Sequence, residues 1–190
     1  ACSIQGWRNH FEDTHICKSG DFQGNDSFFA VFDGHGGEQC AQFCRDRLVK
    51  NIPKYDGTPT WLGPQGSDVT GLIDHGQDRR LGWLSSAFLK FDLLTKPFVN
   101  QGCTANAAYI DHAKKMLYIA NSGDARCIIG KKGKVTQISK DHVPQDPVEF
   151  DRIFKAGKTV FGGRIMGNLN LSRAFGDHRY KDTQNLPQEK

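Results

Sequence analysis

The stretch Ser27-Phe28-Phe29-Ala30-Val31-Phe32-Asp33-Gly34-His35-Gly36-Gly37 decides the fold. Its apolar run is nearly continuous and is bounded by glycines, which is typical of a buried β-strand. Apolar residues then recur near helical spacing from Glu38 to about Ile52, with charged residues between them. We therefore predict that a buried strand ends in a glycine-rich turn and continues into an α-helix.

The rest of the chain combines further helices with hairpins. We predict helices at Leu81 to about Leu94 and at Asp146–Ala156, the latter with Pro147 in its first turn and Gly157 just past its end. We predict hairpins from Thr104–Ile110 with Met116–Ala120 and from Ala125–Ile129 with Lys134–Ile138, and short strands at Lys158–Phe161 and Leu169–Ala174. Residues 53–80, rich in Gly, Pro and Asp, are predicted to form a long loop or insertion. Antiparallel hairpins with separate helices indicate the α+β class.

The composition argues against several classes of protein. The 190 residues fit one domain, and 25 Lys and Arg against 21 Asp and Glu leave only a small, dispersed positive surplus. We therefore expect no nucleic-acid partner. No apolar run approaches the about 18–20 residues that span a bilayer, so we also expect no membrane association.

Six cysteines are present, and none forms a C-x-x-C pair. Cys40 and Cys44 lie four residues apart, which places both on one face of a helix. A zinc site would need two further Cys or His ligands, and the spacing offers none. We therefore interpret the cysteines as small buried apolar residues of a protein kept in a reducing, intracellular compartment.

Polar residues typical of a metal and phosphate site occur at two places. Glu12-Asp13 follow Arg8, and Asp33 stands at the exit of the buried strand. A carboxylate there is costly unless it is paired or binds a cation, and the glycines after it let backbone carbonyls approach a ligand. Such oxygen donors suit Mg²⁺ or Mn²⁺, and Arg8 offers a planar fork to a phosphate. His35, in the same turn, could act as an acid or a base.

Each of these residues also has a purely structural interpretation. Asp33-Gly34 is a common turn dipeptide, and Glu12-Asp13 could be a solvated face. His35 could be a structural histidine, and Asp124 could be a turn residue between strands. The combination of residues, more than any one of them, favours a functional site.

Several ordered motifs carry a resemblance to a known family, the protein phosphatase 2C catalytic domain. The stretch that begins Arg8-x-x-Phe11-Glu12-Asp13-x-His15 and continues through Phe28–Gly37 resembles the opening of that domain. Later motifs agree in order, and they are Gly102-Cys103-Thr104-Ala105, Ala120-Asn121-Ser122-Gly123-Asp124-Ala125-Arg126, Asp141-His142-x-Pro144, Arg152-Ile153-x-x-Ala156-Gly157 and Gly167–Asp177. The resemblance covers essentially residues 3–181.

The resemblance implies a fold and an activity. The fold is a four-layer α/β/β/α sandwich of mostly antiparallel sheets flanked by helices. The activity is that of a metal-dependent protein serine/threonine phosphatase, in which a water made acidic by two Mg²⁺ or Mn²⁺ ions attacks phosphorus in line. The partners would be phosphoserine and phosphothreonine proteins, in the cytoplasm, the nucleus or both.

The resemblance also implies roles for individual residues. Asp33 would bridge both metal ions, and the Gly34 carbonyl would bind one of them. Glu12 and Asp13 would hold metal-bound waters. The remaining implied roles are phosphate binding by Arg8, general-acid catalysis by His35 and a third, weaker metal site at Asp124.

The family domain is longer than residues 1–190, which would then form one incomplete domain, truncated at its C-terminus. Two later aspartates that complete the family's metal site would follow Lys190. We therefore expect residues 1–190 alone to bind metal weakly, to be a poor phosphatase, and to associate with another copy or with the missing C-terminal half. A non-catalytic phosphatase-like binding module is the alternative interpretation, and another phosphohydrolase on the same scaffold is a third. The resemblance also implies that residues 143–167 form a flap beside the active site, and their glycines would allow it to move.

Overall fold

The computed structural model describes residues 1–52 and 79–182. The predicted loop at 53–80 therefore lies outside the described residues, except for Arg79 and Arg80, which begin a helix. In chain order the elements are β1 (Thr14–Phe22), β2 (Asp26–Phe32), β3 (Gly34–His35), α1 (Gln39–Asn51), α2 (Arg79–Asp92), a 3-10 turn (Leu93–Thr95), β4 (Gly102–Cys103), β5 (Ala105–Asp111), β6 (Met116–Ser122), β7 (Ile128–Lys131), β8 (Lys134–Gln137), α3 (Pro147–Lys155), β9 (Val160–Phe161), β10 (Arg164–Ile165), β11 (Phe175–Gly176) and α4 (His178–Lys181).

Four strands form the main antiparallel sheet, in the order β1-β2-β5-β6. A smaller antiparallel sheet has the order β11-β4-β3, and two hairpins pair β7 with β8 and β9 with β10. The predicted α+β class with mostly antiparallel strands is confirmed. No helix in the described ranges has the length and apolar character needed to cross a membrane.

The hydrophobic core lies between the main sheet and the helices α1 and α2. Strand β2 is buried at Phe28, Ala30 and Phe32, as its apolar sequence predicts. The helices contribute a stripe that recurs at helical spacing, as amphipathic helices require. The buried apolar residues of this stripe are Cys40, Ala41, Cys44 and Leu48 of α1 and Trp83, Leu84, Ala87, Phe88 and Phe91 of α2.

Most predicted elements are observed, and one predicted strand is wrong. Helix α3 begins after Asp146, whose carboxylate accepts hydrogen bonds from Val148 and Glu149, with Pro147 in the first turn as predicted. The strand predicted at Leu169–Ala174 is absent from the described chain, where Leu169 makes a single bridge to Ile165 and β11 begins only at Phe175. The backbone between them bonds to other partners: the Ser172 N–H donates to the carbonyl of His142, and the Lys181 ammonium donates to that of Ala174.

Candidate active site

The register of the main sheet brings Asp13 and Asp33 together. Thr14 of β1 pairs with Phe32 of β2 in antiparallel register. Asp13 directly precedes Thr14 and Asp33 directly follows Phe32, so the two carboxylates extend from the same end of the strand pair. Both residues are exposed at that end.

Thr104 joins Asp33 to the turn that carries Asp124. The Thr104 hydroxyl accepts a hydrogen bond from the Asp33 N–H at 3.0 Å, and the Thr104 N–H donates to the Asp33 carbonyl at 2.9 Å. Gly123 has a φ of +113°, and a side chain there would meet Thr104 Cγ2 at 2.8 Å. The buried Thr104 therefore fixes the Asp33 backbone and packs against the turn before Asp124.

His35 forms an ion pair with a residue far away in the sequence. Its Nε2 lies 2.6 Å from Oδ2 of Asp177, which is only 3% exposed. Strands β3, β4 and β11 place them, because His35 and Gly176 both pair with Gly102. A side chain at Gly102 would lie 2.3 Å from Asp177 Oδ2, so the glycine makes room for the carboxylate.

Burial and hydrogen bonding act in opposite directions on His35. Burial lowers the pKa of His35, but the hydrogen bond and the charge of Asp177, together with the charge of Asp33, raise the pKa above its usual value. His35 therefore keeps a proton to a higher pH than a free histidine does, as a proton donor requires.

Glu12 is held at the start of α1. Its Oε1 accepts a hydrogen bond from the Gly37 N–H at 2.7 Å, and its Oε2 lies 3.9 Å from Nη2 of Arg8. The Arg8 side chain is 78% exposed, so its guanidinium is open to solvent and to an anion. Trp7, next to it, is fully exposed.

Gly34 is required because the backbone of Glu12 passes close to it. A Cβ at Gly34 would lie 2.4 Å from the Glu12 carbonyl oxygen and 3.1 Å from Ala41 Cβ. We expect Gly34→Ala to lower the free energy of unfolding by about 1–3 kcal/mol, because backbone and a packed side chain must move. Urea unfolding measures this. The matched control is Gly82→Ala in α2, where nothing lies within 4 Å and alanine should stabilise the helix by about 1 kcal/mol. Equal midpoints for both variants would contradict the packing argument.

The electrostatic surroundings of Asp33 show which charged groups converge there. Partial burial raises the pKa of Asp33, and the charges of Asp13 and Asp124 raise it further, while His35 and Arg8 act in the lowering direction. The carboxylates repel one another and are only partly offset by the two cationic groups. Carboxylates that influence one another in this way offer the oxygen donors that hard divalent cations prefer.

A partly buried ion-pair cluster lies beside the turn before Asp124. The Gly123 N–H donates to Nδ1 of His142 at 3.2 Å, and the His142 N–H donates to the Gly123 carbonyl at 2.9 Å. Burial, with the charge of nearby Arg173, lowers the pKa of His142 to about 4, consistent with a neutral ring that accepts this bond. Arg173 in turn donates to Glu149, which also accepts from Arg152 at 2.8 Å.

We predict that Glu149 makes the free energy of unfolding depend on pH in the acidic range. Burial raises the pKa of Glu149, but the hydrogen bonds and charges of Arg173 and Arg152 outweigh it and lower the pKa to about 2. Because the folded-state pKa lies below the usual 4.5, this stabilisation is present above about pH 4.5 and is lost as the pH falls towards 2. We expect Glu149→Gln to cost about 2–3 kcal/mol at pH 7 and to flatten the loss of stability between those pH values. Urea unfolding at several pH values tests this, with the exposed Asp151→Asn as control; parallel pH curves for Glu149→Gln and the unsubstituted chain would contradict it.

Comparison with known proteins establishes the family to which this chain belongs. The family model described as protein phosphatase 2C matches residues 1–189. This chain belongs to the protein phosphatase 2C family. Among curated members, "Probable protein phosphatase 2C 21" of Arabidopsis thaliana is 35% identical over 99% of this chain and 62% of its own length. "Protein phosphatase 2C homolog 2" of Schizosaccharomyces pombe is 37% identical over 98% of this chain and 48% of its own length. The chain thus spans about half to two thirds of the protein phosphatase 2C relatives it matches.

Solved structures share the fold. A sex determining protein of C. elegans superposes with a TM-score of 0.70 at 25% identity, covering 96% of this chain and 45% of that one. A phosphatase from Toxoplasma gondii also has a TM-score of 0.70, at 24% identity, covering 96% of this chain and 65% of that one. The described part of this protein phosphatase 2C chain therefore has the fold of known phosphatase structures.

The structure brings the predicted site residues of this protein phosphatase 2C chain to one end of the main sheet. Around Asp33 lie Asp13, Asp124, His35 and Arg8. Glu12 and Gly34 adjoin the same group. The sequence alone indicated no role for Asp177 or Thr104, although both stand in the motifs quoted above. Gly102 and Gly176 were the sequence signal that could have pointed to Asp177, because glycines in strands mark places where another group approaches the backbone closely.

Proposed function

We propose that this chain is the N-terminal part of the catalytic domain of a metal-dependent protein serine/threonine phosphatase. The observation that carries the proposal is that the charges of Asp13 and Asp124 act on Asp33, together with those of Arg8 and His35. Family membership supports a protein phosphatase, and the site supports the metal dependence. The substrates proposed are phosphoserine and phosphothreonine proteins.

The donor set fits divalent metal ions. The charges that raise the pKa of Asp33 come from carboxylates, so a cation among them would relieve their repulsion. Oxygen donors of this type suit Mg²⁺ or Mn²⁺, which keep several waters and need few protein ligands. Asp33 and the Gly34 carbonyl would hold the ions directly, with Glu12 and Asp13 orienting bound waters, and Asp124 would hold a weaker third ion. When bound, the ions supply an acidic water as the nucleophile and neutralise charge on the phosphate.

Arg8 is proposed to bind the substrate phosphate. Its guanidinium is exposed and is tied only loosely to Glu12 at 3.9 Å, so it can contact two phosphate oxygens. Arg8→Ala should raise KM by about tenfold or more and change kcat less, because the contact is made in both the ground and the transition state. Steady-state kinetics on a phosphopeptide measures this, with the exposed Arg45→Ala as control. A lower kcat at unchanged KM would place Arg8 in the chemical step instead.

His35 is proposed to protonate the leaving alkoxide. The Asp177 carboxylate holds its Nε2 and favours the protonated ring. Serine and threonine alkoxides are poor leaving groups, so a proton donor beside them lowers the barrier.

The 190-residue chain by itself is proposed to be a weak metal binder and a poor phosphatase. It spans 62% of one matched relative and 48% of another, and the family resemblance implies further metal-binding aspartates outside the matched residues. Residues 143–167, which contain α3 and the β9–β10 hairpin, are proposed to act as a flap that contacts substrate. Cytoplasm, nucleus or both remain the proposed locations.

The proposal is tested by assaying the chain extended to the length of its relatives on a phosphoserine peptide. We expect activity with Mg²⁺ or Mn²⁺ and its loss with a chelator, restored by excess metal. Equal rates with and without chelator would refute the metal mechanism. Inactivity under all metals, with phosphopeptide binding retained, would support a non-catalytic binding module instead.

A further inference from the structure

Three cysteines meet in the core directly behind the candidate active site. Cys40 and Cys44 lie on one face of α1, as their spacing predicts, and Cys103 of β4 joins them in space. Their sulfur atoms all lie within 4.8 Å of one another, and each residue is 0% exposed. The spacing of the cysteines in the sequence indicated no third ligand near Cys40 and Cys44, because Cys103 comes close only through the pairing of β3, β4 and β11.

We propose that Cys40, Cys44 and Cys103 form a binding site for one soft metal ion, Cu(I). Soft thiolate sulfur selects ions such as Cu(I) and Zn²⁺ over Mg²⁺ and Mn²⁺. This site is therefore distinct in chemistry from the carboxylate site at Asp33.

The spacing of the sulfurs suits a shared ion. With a metal–sulfur bond of about 2.3 Å, three sulfurs around one ion stand about 3.8–4.0 Å apart. Cys103 Sγ and Cys44 Sγ are 3.5 Å apart, and all separations stay within 4.8 Å, so small side-chain rotations complete the site. A disulfide would use two of the sulfurs and leave the third without a role.

The number of ligands favours Cu(I) over Zn²⁺. Zinc in structural sites takes four ligands. Within residues 1–52 and 79–182, no fourth His, Cys, Asp or Glu belongs to the sulfur group. The three residues are fully buried, so bulk solvent does not reach them to supply a fourth ligand.

The surroundings support loss of a thiol proton on binding. Hydrogen bonds from Cys103 and Cys44 lower the pKa of Cys40, which makes it the first thiol to ionise. The hydrogen bond with Cys103 acts to lower the pKa of Cys44, but the hydrogen bond to Cys40 and burial outweigh it and raise the pKa values of Cys44 and Cys103, so these two thiols lose their protons only when the ion binds. Each thiol that becomes a ligand releases one proton to solvent and bonds to the ion as the thiolate, and no electron is transferred. The bound ion would link α1 to β4. The neighbours of β4 in the sheet are β3, which contains His35, and β11, which directly precedes Asp177.

The test uses the 190-residue chain with Cys2, Cys17 and Cys127 replaced by serine, so that only the cluster thiols remain. The reduced chain is titrated without oxygen against a chromophoric Cu(I) chelator. We expect it to remove one equivalent of Cu(I), and Cys44→Ser or Cys103→Ser in that background to weaken binding by at least about 100-fold. The chain with its natural cysteines should also take one equivalent of Cu(I) from the chelator and bind it at the same three sulfurs.

A second measurement does not require the Cys44→Ser and Cys103→Ser variants to fold. X-ray absorption of the Cu(I)-loaded chain should count three sulfur neighbours at about 2.3 Å. Two or fewer sulfurs, unchanged affinity in folded Cys103→Ser, or failure to take Cu(I) from the chelator would each overturn the proposal. A parallel titration with Zn²⁺ that bound as tightly or more tightly would overturn the choice of ion.

Discussion

Asp33→Asn should abolish metal-dependent phosphatase activity in the chain extended to the length of its relatives. We expect kcat/KM to fall by at least about 1,000-fold, which corresponds to about 4 kcal/mol of transition-state stabilisation. The reason is that one carboxylate would serve both ions, so its loss weakens both sites at once. Asparagine keeps the shape of the side chain and removes its charge.

The same substitution should not destabilise the metal-free chain. The folded-state pKa of Asp33 is raised above 3.8, so the ionised carboxylate at neutral pH opposes folding relative to the unfolded chain. That cost appears as the pH rises from below 3.8 through the raised pKa. Asp33→Asn should therefore leave the urea midpoint at pH 7 unchanged or higher, while it removes the increase in stability that Mn²⁺ gives the unsubstituted extended protein.

Asp21→Asn is the matched control, because Asp21 is an exposed carboxylate on β1 with a surface ion pair to Lys18. It should keep full activity and the full response to Mn²⁺. Full activity of Asp33→Asn would refute the ligand assignment. A lower urea midpoint without metal would instead mean that Asp33 stabilises the fold, contrary to its electrostatic surroundings.

Local sequence pattern predicts the elements that carry Asp33 but not all of its neighbours. The apolar run at 27–32 and the helical stripe of α1 correctly place Asp33 at a strand exit. The strand predicted at Leu169–Ala174 shows the limit of such prediction. The backbone of that segment bonds instead to a loop carbonyl and to a lysine side chain, and no local sequence pattern reveals these partners.

Contacts between distant segments set the rest of the site. His35 and Asp177 are 142 positions apart, and their contact depends on three short strands of two residues each. Such strands leave almost no periodic signal. Cys103 joins the helix cysteines through the same sheet, which is why its partners could not be predicted from spacing.

The second large effect that we expect is a loss of kcat when the His35–Asp177 pair is disrupted. The size of this loss should depend on the leaving group of the substrate. In the extended protein, His35→Gln should lower kcat by about 100-fold or more on phosphoserine peptides, because the alkoxide then departs without a proton. The loss should be much smaller on an aryl phosphate, whose leaving group needs no proton. Equal losses on both substrates would rule out proton donation by His35.

Asp177→Asn should reproduce much of this loss although Asp177 does not reach the substrate. Removing the carboxylate charge removes a cause that raises the pKa of His35, so the pKa should fall and the alkaline limb of activity, where His35 loses its proton, should move to lower pH. Direct NMR titration of His35 in the 190-residue chain measures the pKa without any assay. The double variant His35→Gln/Asp177→Asn should be hardly worse than His35→Gln alone, because the two residues act as one unit.

A positioning role and a merely structural role for Asp177 predict different results. Asp177 is 3% exposed and has a φ of 53°, so its replacement could also disturb the loop between β11 and α4. A structural effect would lower the urea midpoint and reduce activity equally on alkyl and aryl phosphates. The positioning role requires a lower pKa of His35 and a selective loss on the alkyl substrate, with metal affinity unchanged. An additive double variant, or a pKa of His35 that stays in place, would show that the 2.6 Å contact does not control the proton of His35.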